Sequence, residues 1–252
     1  MLRRIAEKLS RGVAFRRRLP RSVGGALFYV SPDSALSYLK PGARAFDENL
    51  LRLAFENIRA DSRVWDIGAN VGVFTFAAAG LARAGHVLAV EADVWLSQLI
   101  RRSARLHENR SMRIDVLTAA IAQQNGVSSF NIAQRGRSSN YLDEAGGRTE
   151  AGGVRTRVCV PTLTLDTLLQ RFSAPTLVKI DVEGAEALVM RGARRLLEEF
   201  RPIFYIEVGS DSSDEISNTF AEHRYDLYDG ERLRAGQAPL RRCSFNTLAV
   251  PQ

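Results

Sequence analysis

Apolar positions follow two rhythms along this chain. Short, mostly apolar runs lie at 63–67, 86–91, 113–117, 176–181 and 202–208. Apolar residues at helical spacing lie between them, through about 82, from 95 to 107 and from 183 to 199. Near-continuous apolar runs are the signature of strands buried on both faces. Strands alternating with helices predict an α/β fold with a mostly parallel sheet and helices on both faces. Right-handed crossovers leave few topologies for it. Upstream, 24–30 reads as a short strand followed by a Ser-Pro-Asp turn, and 46–58 reads as a helix. Downstream, 224–228 and 245–250 read as late strands forming an antiparallel C-terminal edge. The alternation fails at 122–165, where no long helix is visible. There 128–132 and 158–163 read as extended pieces around a polar, glycine-rich loop at 134–153.

Charge divides the chain further. Residues 1–21 hold eight basic residues and one acid, Glu7, which accounts for the whole net charge of +7. The rest carries 27 basic and 27 acidic residues. A neutral body argues against a broad nucleic-acid surface. The expected organisation is therefore a basic arm at 1–21, a helix-and-strand extension at 22–60 and a catalytic domain at 61–252. Leu2, Ile5, Leu9 and Val13 give the arm one apolar stripe. It reads as a solvated helix or tail, with peripheral membrane contact as the alternative. No run reaches the ~18 apolar residues of a membrane span. The N-terminus lacks the apolar core of a secretory signal. Cys159 and Cys243 lie far apart and read as buried or half-buried thiols of a reducing compartment. The expected location is the cytoplasm.

The sharpest local signal is Asp66-Ile-Gly68-Ala69-Asn70-Val-Gly72, between a strand and a helix. Gly68 suits close approach of a ligand to the helix start, and Gly72 suits tight helix packing. Glu91 ends the next strand, where an acid receives two ribose hydroxyls. Nicotinamide dinucleotides use a related turn and place a pyrophosphate on the helix N-terminus. Here Asn70 replaces the middle glycine, and the Asp66 carboxylate would repel a pyrophosphate. The same carboxylate attracts an ammonium. S-adenosylmethionine carries an ammonium and no phosphate, so it suits this turn better. A glycine turn with no ligand is the remaining reading.

Taken together, the motifs resemble the FkbM family of S-adenosylmethionine-dependent methyltransferases. The resemblance is carried by the first turn and, above all, by Val178-Lys-Ile-Asp-Val-Glu-Gly-Ala-Glu186, continuing through Met190-Arg-Gly-Ala193. It also rests on Ala119-Ala-Ile-Ala122 with Gly126 and Phe130, and on Thr162 to Leu168. Pro202 to Glu207 and Asn246 to Pro251 complete it, all in the family's order over residues 46–251. It implies the Rossmann-like class I methyltransferase fold and methyl transfer, commonly to oxygen, with saccharides and secondary metabolites among the acceptors.

Candidate roles follow. Gly68, Ala69 and Asn70 are expected at the methionine end, with Asp66 in contact directly or through water. Gly72 supports the turn. Glu91 with Ala92 is expected at the ribose, and Asp115 with Ala119 and Ala120 at the adenine. Asp181 is the main chemical candidate, joined by Lys179 (a buried lysine of lowered pKa is a candidate base), Glu183 and Glu207. Glu186 reads as a helix-start acid. Asp181, Glu183 and Glu207 are of the right type for a divalent metal, but their spacing demands none. His107 and His223 are each alone. Loop residues Arg135, Arg137, Ser138 and Asn140 are expected acceptor contacts on a lid. An RNA or protein methyltransferase, and a non-catalytic S-adenosylmethionine-binding protein, are the competing readings.

Overall fold

The computed structural model describes residues 10–146, 152–232 and 235–252. An antiparallel hairpin opens it, β1 (Phe15–Arg18) with β2 (Leu27–Val30). Four residues of the segment expected as a basic arm, Phe15–Arg18, thus form a strand, while Leu2, Ile5 and Leu9 of its stripe lie outside the described residues. Helix α1 (Glu48–Asn57) follows, capped by Asp47, whose carboxylate accepts from the Asn49 and Leu50 amides.

The expected alternation then runs β3 (Arg63–Ile67), α2 (Val73–Leu81), β4 (His86–Val90), α3 (Val94–Ala104), β5 (Ile114–Leu117). After an interruption come β10 (Leu177–Ile180), α4 (Glu186–Arg191), β11 (Ile203–Glu207), α5 (Ser213–Glu222), β12 (Tyr225–Asp229) and β13 (Asn246–Pro251). They form one sheet in the order β12-β13-β11-β10-β3-β4-β5. The pairs among β5, β4, β3, β10 and β11 are parallel. β13 runs antiparallel to both β11 and β12, between which it is inserted. This is the class I methyltransferase arrangement, with its antiparallel strand near one edge.

Alternation along each strand divides the core in two. Val64, Val87, Ala89 and Leu177 pack toward α1, α2 and the N-terminal hairpin. Trp65, Ile67, Leu88, Val178, Ile180 and Phe204 pack toward the other face, with Val189, Leu196 and Phe220. α2 is buried almost all round because the hairpin covers its outer side. Gly24 and Gly80 permit that contact: a Cβ on Gly24 would lie 2.5 Å from the Gly80 Cα. Asn109 Nδ2 donates to Leu27 O (2.7 Å) and Tyr29 N to Ser103 Oγ (2.8 Å), tying β2 to α3.

Two features differ from expectation. The interruption is a second sheet of β6 (Ala120–Ile121), β7 (Gly126–Ala133), β8 (Tyr141–Leu142) and β9 (Val154–Leu163), ordered β6-β9-β7-β8. The helix expected at 183–199 is broken. Glu183 (φ 48°) and Gly184 (φ 96°) are left-handed, so the helix starts at Glu186. It stops at Gly192, where a Cβ would lie 2.5 Å from Ala122 O, and a π turn occupies Leu196–Phe200. Cys159 is exposed and Cys243 half-buried, both free. No helix among the described residues is long and apolar enough to cross a membrane.

Candidate active site

Strand order reverses between β3 and β10, and a crevice opens outside the carboxyl ends of strands at such a point. The turn from β3 to α2 forms part of the floor. Gly68 (φ 75°) and Asn70 (φ 54°) are left-handed there, and the Gly68 and Ala69 amides both donate to Val90 O. A Cβ on Gly68 would lie 1.8 Å from Asp181 O. Gly68 is therefore demanded by the close approach of the turns after β3 and β10, before any ligand is considered. At Gly72 (φ 92°) a Cβ would crowd the Phe76 ring at 3.0 Å.

Glu91, just past β4, is 6% exposed and borders the crevice. Its Oε2 accepts from Asn70 N (2.7 Å) and its Oε1 from Asp93 N (2.8 Å). Burial pushes its carboxyl up to about 8, against the pull of those two amides. An ionised carboxylate has about four acceptor sites, so two remain for hydroxyl donors. Beside it Ala92, Ala119, Ala120, Ile121, Phe130 and Leu142 form an apolar slot.

Asp66, Lys179 and Tyr205 stand in register on three adjacent strands. Lys179 Nζ donates to Gly68 O (2.9 Å) and lies 3.2 Å from Asp66 Oδ1 and 3.5 Å from Asp181 Oδ2. Thr75 Oγ1 donates to Asp66 Oδ2 at 2.6 Å. Burial opposes the Lys179 charge, but the Asp66 and Asp181 carboxylates outweigh it and carry the ammonium above its ordinary value. Lys179 thus keeps its proton. The expectation of a base with a lowered pKa is corrected: two carboxylates flank a lysine that fixes the Gly68 carbonyl.

A roof closes the crevice. Asp33, 2% exposed, receives Arg155 through both its oxygens (2.7 and 3.0 Å) and Arg137 Nε at 2.9 Å. Burial disfavours the Asp33 charge, yet those guanidiniums hold its carboxyl below the usual range. Arg137 also pairs with Asp93 Oδ2, which accepts from Asn140 Nδ2 at 2.8 Å. Asp93 Oδ1 caps α3 through the Trp95 and Leu96 amides. Ser34 Oγ donates to Asn70 Oδ1.

Of the expected residues, Gly68, Asn70, Glu91, Ala92, Ala120, Asp181, Glu183 and Glu207 border this crevice, as do Ala119, Arg137, Ser138 and Asn140. Ala69 and Lys179 border an adjoining cavity that shares Asn70, Ser138 and Asp181 with it. Asp66 is fully buried behind Lys179 and reaches neither. Asp115 is corrected: it sits on the edge strand β5, exposed and 3.1 Å from His86 Nε2, and does not border the crevice. Arg137 is not a free lid cation, because two aspartates neutralise it, and Arg135 is exposed away from the crevice. Residues 147–151 of the expected lid lie outside the described residues. Glu186 Oε1 accepts from Gly184 N (2.9 Å) and fixes the turn before its helix. His223 Nδ1 meets Thr219 O within its own helix end. Among the described residues no group of three His, Cys, Asp or Glu side chains is placed to hold a metal ion. Sequence reasoning missed Asp33, Tyr38 and Asp93; the helix-cap position of Asp93 was its one visible signal.

Residues 66–234 match the family model for the methyltransferase FkbM domain. No curated protein sequence matches the chain. Among solved structures it is similar to methyltransferase FkbM from Methylobacillus flagellatus KT, with 20% identity, 76% of this chain and 44% of that chain covered, and a TM-score of 0.51. It is also similar to precorrin-6y C5,15-methyltransferase from Geobacter metallireducens GS-15 (13% identity, 79% and 84% covered, TM-score 0.45). A predicted O-methyltransferase from Agrobacterium tumefaciens gives 19% identity, 81% and 80% covered, and a TM-score of 0.45. The chain spans less than half the length of the first of these. At such identities the likeness is one of fold.

Proposed function

The chain belongs to the FkbM family of methyltransferases, and from that premise we propose that it transfers the methyl group of S-adenosylmethionine to a hydroxyl oxygen of a saccharide or secondary metabolite. The observation that carries this is Glu91: a buried carboxylate at the switch-point crevice, fixed by two backbone amides and beside an apolar slot. That donor set fits a nucleoside. Two acceptor sites of Glu91 face the ribose hydroxyls, and the slot from Ala119 to Leu142 takes the adenine. Gly68 and Asn70 line the methionine end. When bound, S-adenosylmethionine supplies a sulfonium methyl: the acceptor oxygen gains it, the sulfur keeps the bonding pair and the acceptor proton leaves.

The remaining work is positioning and proton handling by this chain. Lys179 holds the Gly68 carbonyl and so fixes the floor. Asp181 stands where the two cavities meet, 38% exposed by side chain. It accepts the acceptor's hydroxyl proton in a hydrogen bond and aims the oxygen. Glu183 and Glu207 border the same crevice and shape its acidic wall.

Calorimetric titration of the full chain with S-adenosylmethionine and, separately, NAD tests this. Binding of S-adenosylmethionine alone, weakened at least about tenfold in Glu91→Ala, is expected for loss of hydrogen bonds to a charged group. Binding of NAD instead, or indifference to Glu91→Ala, overturns the reading.

A further inference from the structure

The adjoining cavity is walled on one side by Ala35, Ser37, Tyr38, Asp47 and Leu50. These lie upstream of residue 66, where the match to the family model begins. Its other walls are the α2 start and the Lys179–Asp181 pair. It meets the larger crevice at Asn70, Ser138 and Asp181. A molecule seated in it would therefore meet a nucleoside-bearing cofactor across Asp181.

Tyr38 shows that this space is built for a polar partner. Its ring is 7% exposed and packs against Phe46, 6.4 Å between centroids. Its hydroxyl is not one of the buried polar atoms left unsatisfied, and the residue lines the cavity. Lys179, Asp181 and Asp47 all act electrostatically on that hydroxyl, while burial raises its pKa. So the hydroxyl faces the same polar groups that line the cavity. Of the charges there, Lys179 is already matched by Asp66 at 3.2 Å. Asp181 also lies 3.5 Å from that ammonium, and Asp47 accepts two α1 amides through Oδ1, so one ammonium stands against three carboxylates and the wall is net negative and rich in acceptors.

We propose that this second cavity is the acceptor site, that Tyr38 is a specificity-determining residue in it, and that it admits an uncharged hydroxyl-bearing ring and rejects phosphorylated ones. The assignment rests on the methyltransferase reading. Carboxylates and a phenol recognise hydroxyl donors, and the excess of carboxylates over the one ammonium repels a phosphate ester. The N-terminal extension would thus set acceptor choice, while the family-matched domain sets the cofactor.

The test uses the full chain saturated with S-adenosylhomocysteine. Probes are methyl β-D-glucopyranoside, methyl β-D-galactopyranoside and glucose 6-phosphate, followed by saturation-transfer NMR. The neutral glycosides are expected to bind and the phosphate ester not to. Tyr38→Phe, which removes one hydroxyl, should weaken the glycosides about tenfold. Leu50→Trp, at a half-buried position in the wall, should abolish them by filling the space. Affinity for S-adenosylhomocysteine should stay unchanged in both variants, which also reports that they fold. Glycoside binding that survives Leu50→Trp overturns the assignment and points to the basin beside Glu183 and Ser210. Preference for the phosphate ester overturns it too, as does absence of glycoside binding to the wild-type complex. Failure of S-adenosylhomocysteine itself to bind is distinct, because it removes the methyltransferase reading first.

Discussion

The floor and the roof of the crevice are built on different principles. The floor comes from strand ends and the turns that follow them. Its parts are Gly68 to Gly72, Glu91 and Asp181, each placed by the sheet it extends. The roof is assembled across sequence distance: Asp33 meets Arg137 and Arg155, 104 and 122 residues away, and Arg137 meets Asp93. Backbone hydrogen bonds hold the floor, helped by Lys179 on the Gly68 carbonyl and Glu91 on the Asn70 amide. The roof hangs on buried charge. The floor can therefore be common to a fold, whereas the roof depends on a few side chains that must occur together.

The largest effect should come from removing the charge that gathers the roof. Asp33→Ala leaves Arg137 and Arg155, both largely buried by side chain, without their shared partner. Breaking one side of a buried ion pair costs about 3–5 kcal/mol. Denaturant unfolding should register most of that loss, and affinity for S-adenosylhomocysteine should fall with it, since Arg137, Ser138 and Asn140 border the crevice. Unchanged stability and affinity would mean that the roof stands without its ion pairs, and the contrast with the floor would collapse.

A second loss is expected at the floor with Gly68→Ala: about 1–3 kcal/mol from overpacking, on top of the left-handed penalty that its φ of 75° carries. Its new Cβ would press on Asp181 O, a backbone atom that cannot move without shifting β10. Gly146→Ala near the roof is the control. It shares a positive φ of 79° but has nothing within 4 Å, so only the left-handed penalty of about 1–2 kcal/mol applies. Equal losses in the two variants, read by thermal unfolding, would show that backbone conformation rather than close approach governs Gly68.

That asymmetry also decides what could be read from the sequence. Strand runs, the glycine turn and Glu91 are local signals, because period and turn chemistry act within a few residues. β3, β4, β10 and β11 accordingly fall where the pattern places them. The second sheet is less legible: β9 carries exposed residues along most of its length and shows no apolar run until Val158. Helix α5 escaped because its apolar side is only Ile216 and Phe220 among polar neighbours. Asp33 read as a turn residue, since the arginines that give it a role lie more than a hundred residues on. Asp115 misled for the converse reason. Its position near the end of the third strand fits an adenine contact, but the edge strand turns it to solvent beside His86.

The smallest and most specific test sets two slopes against each other. Burial lifts the Glu91 carboxyl from an ordinary 4.5 to about 8. In the free folded protein near neutral pH this group therefore holds a proton. Hydroxyl donors need the ionised acceptor, so binding them releases that proton. Affinity for S-adenosylhomocysteine should rise with pH toward about 8, by up to about tenfold per pH unit, and then level. Stability of the free protein should run the other way. A carboxyl raised on folding contributes stability that is full below its unfolded value and is lost as pH rises through about 8. Glu91→Gln should flatten both curves, because the amide has no proton to exchange. Affinity that is level with pH in the wild type would mean that Glu91 receives its ligand without ionising. Affinity that falls as pH rises would mean that the bound state keeps Glu91 protonated, so that it donates to the ligand, and the floor would then need another group to receive the ribose hydroxyls.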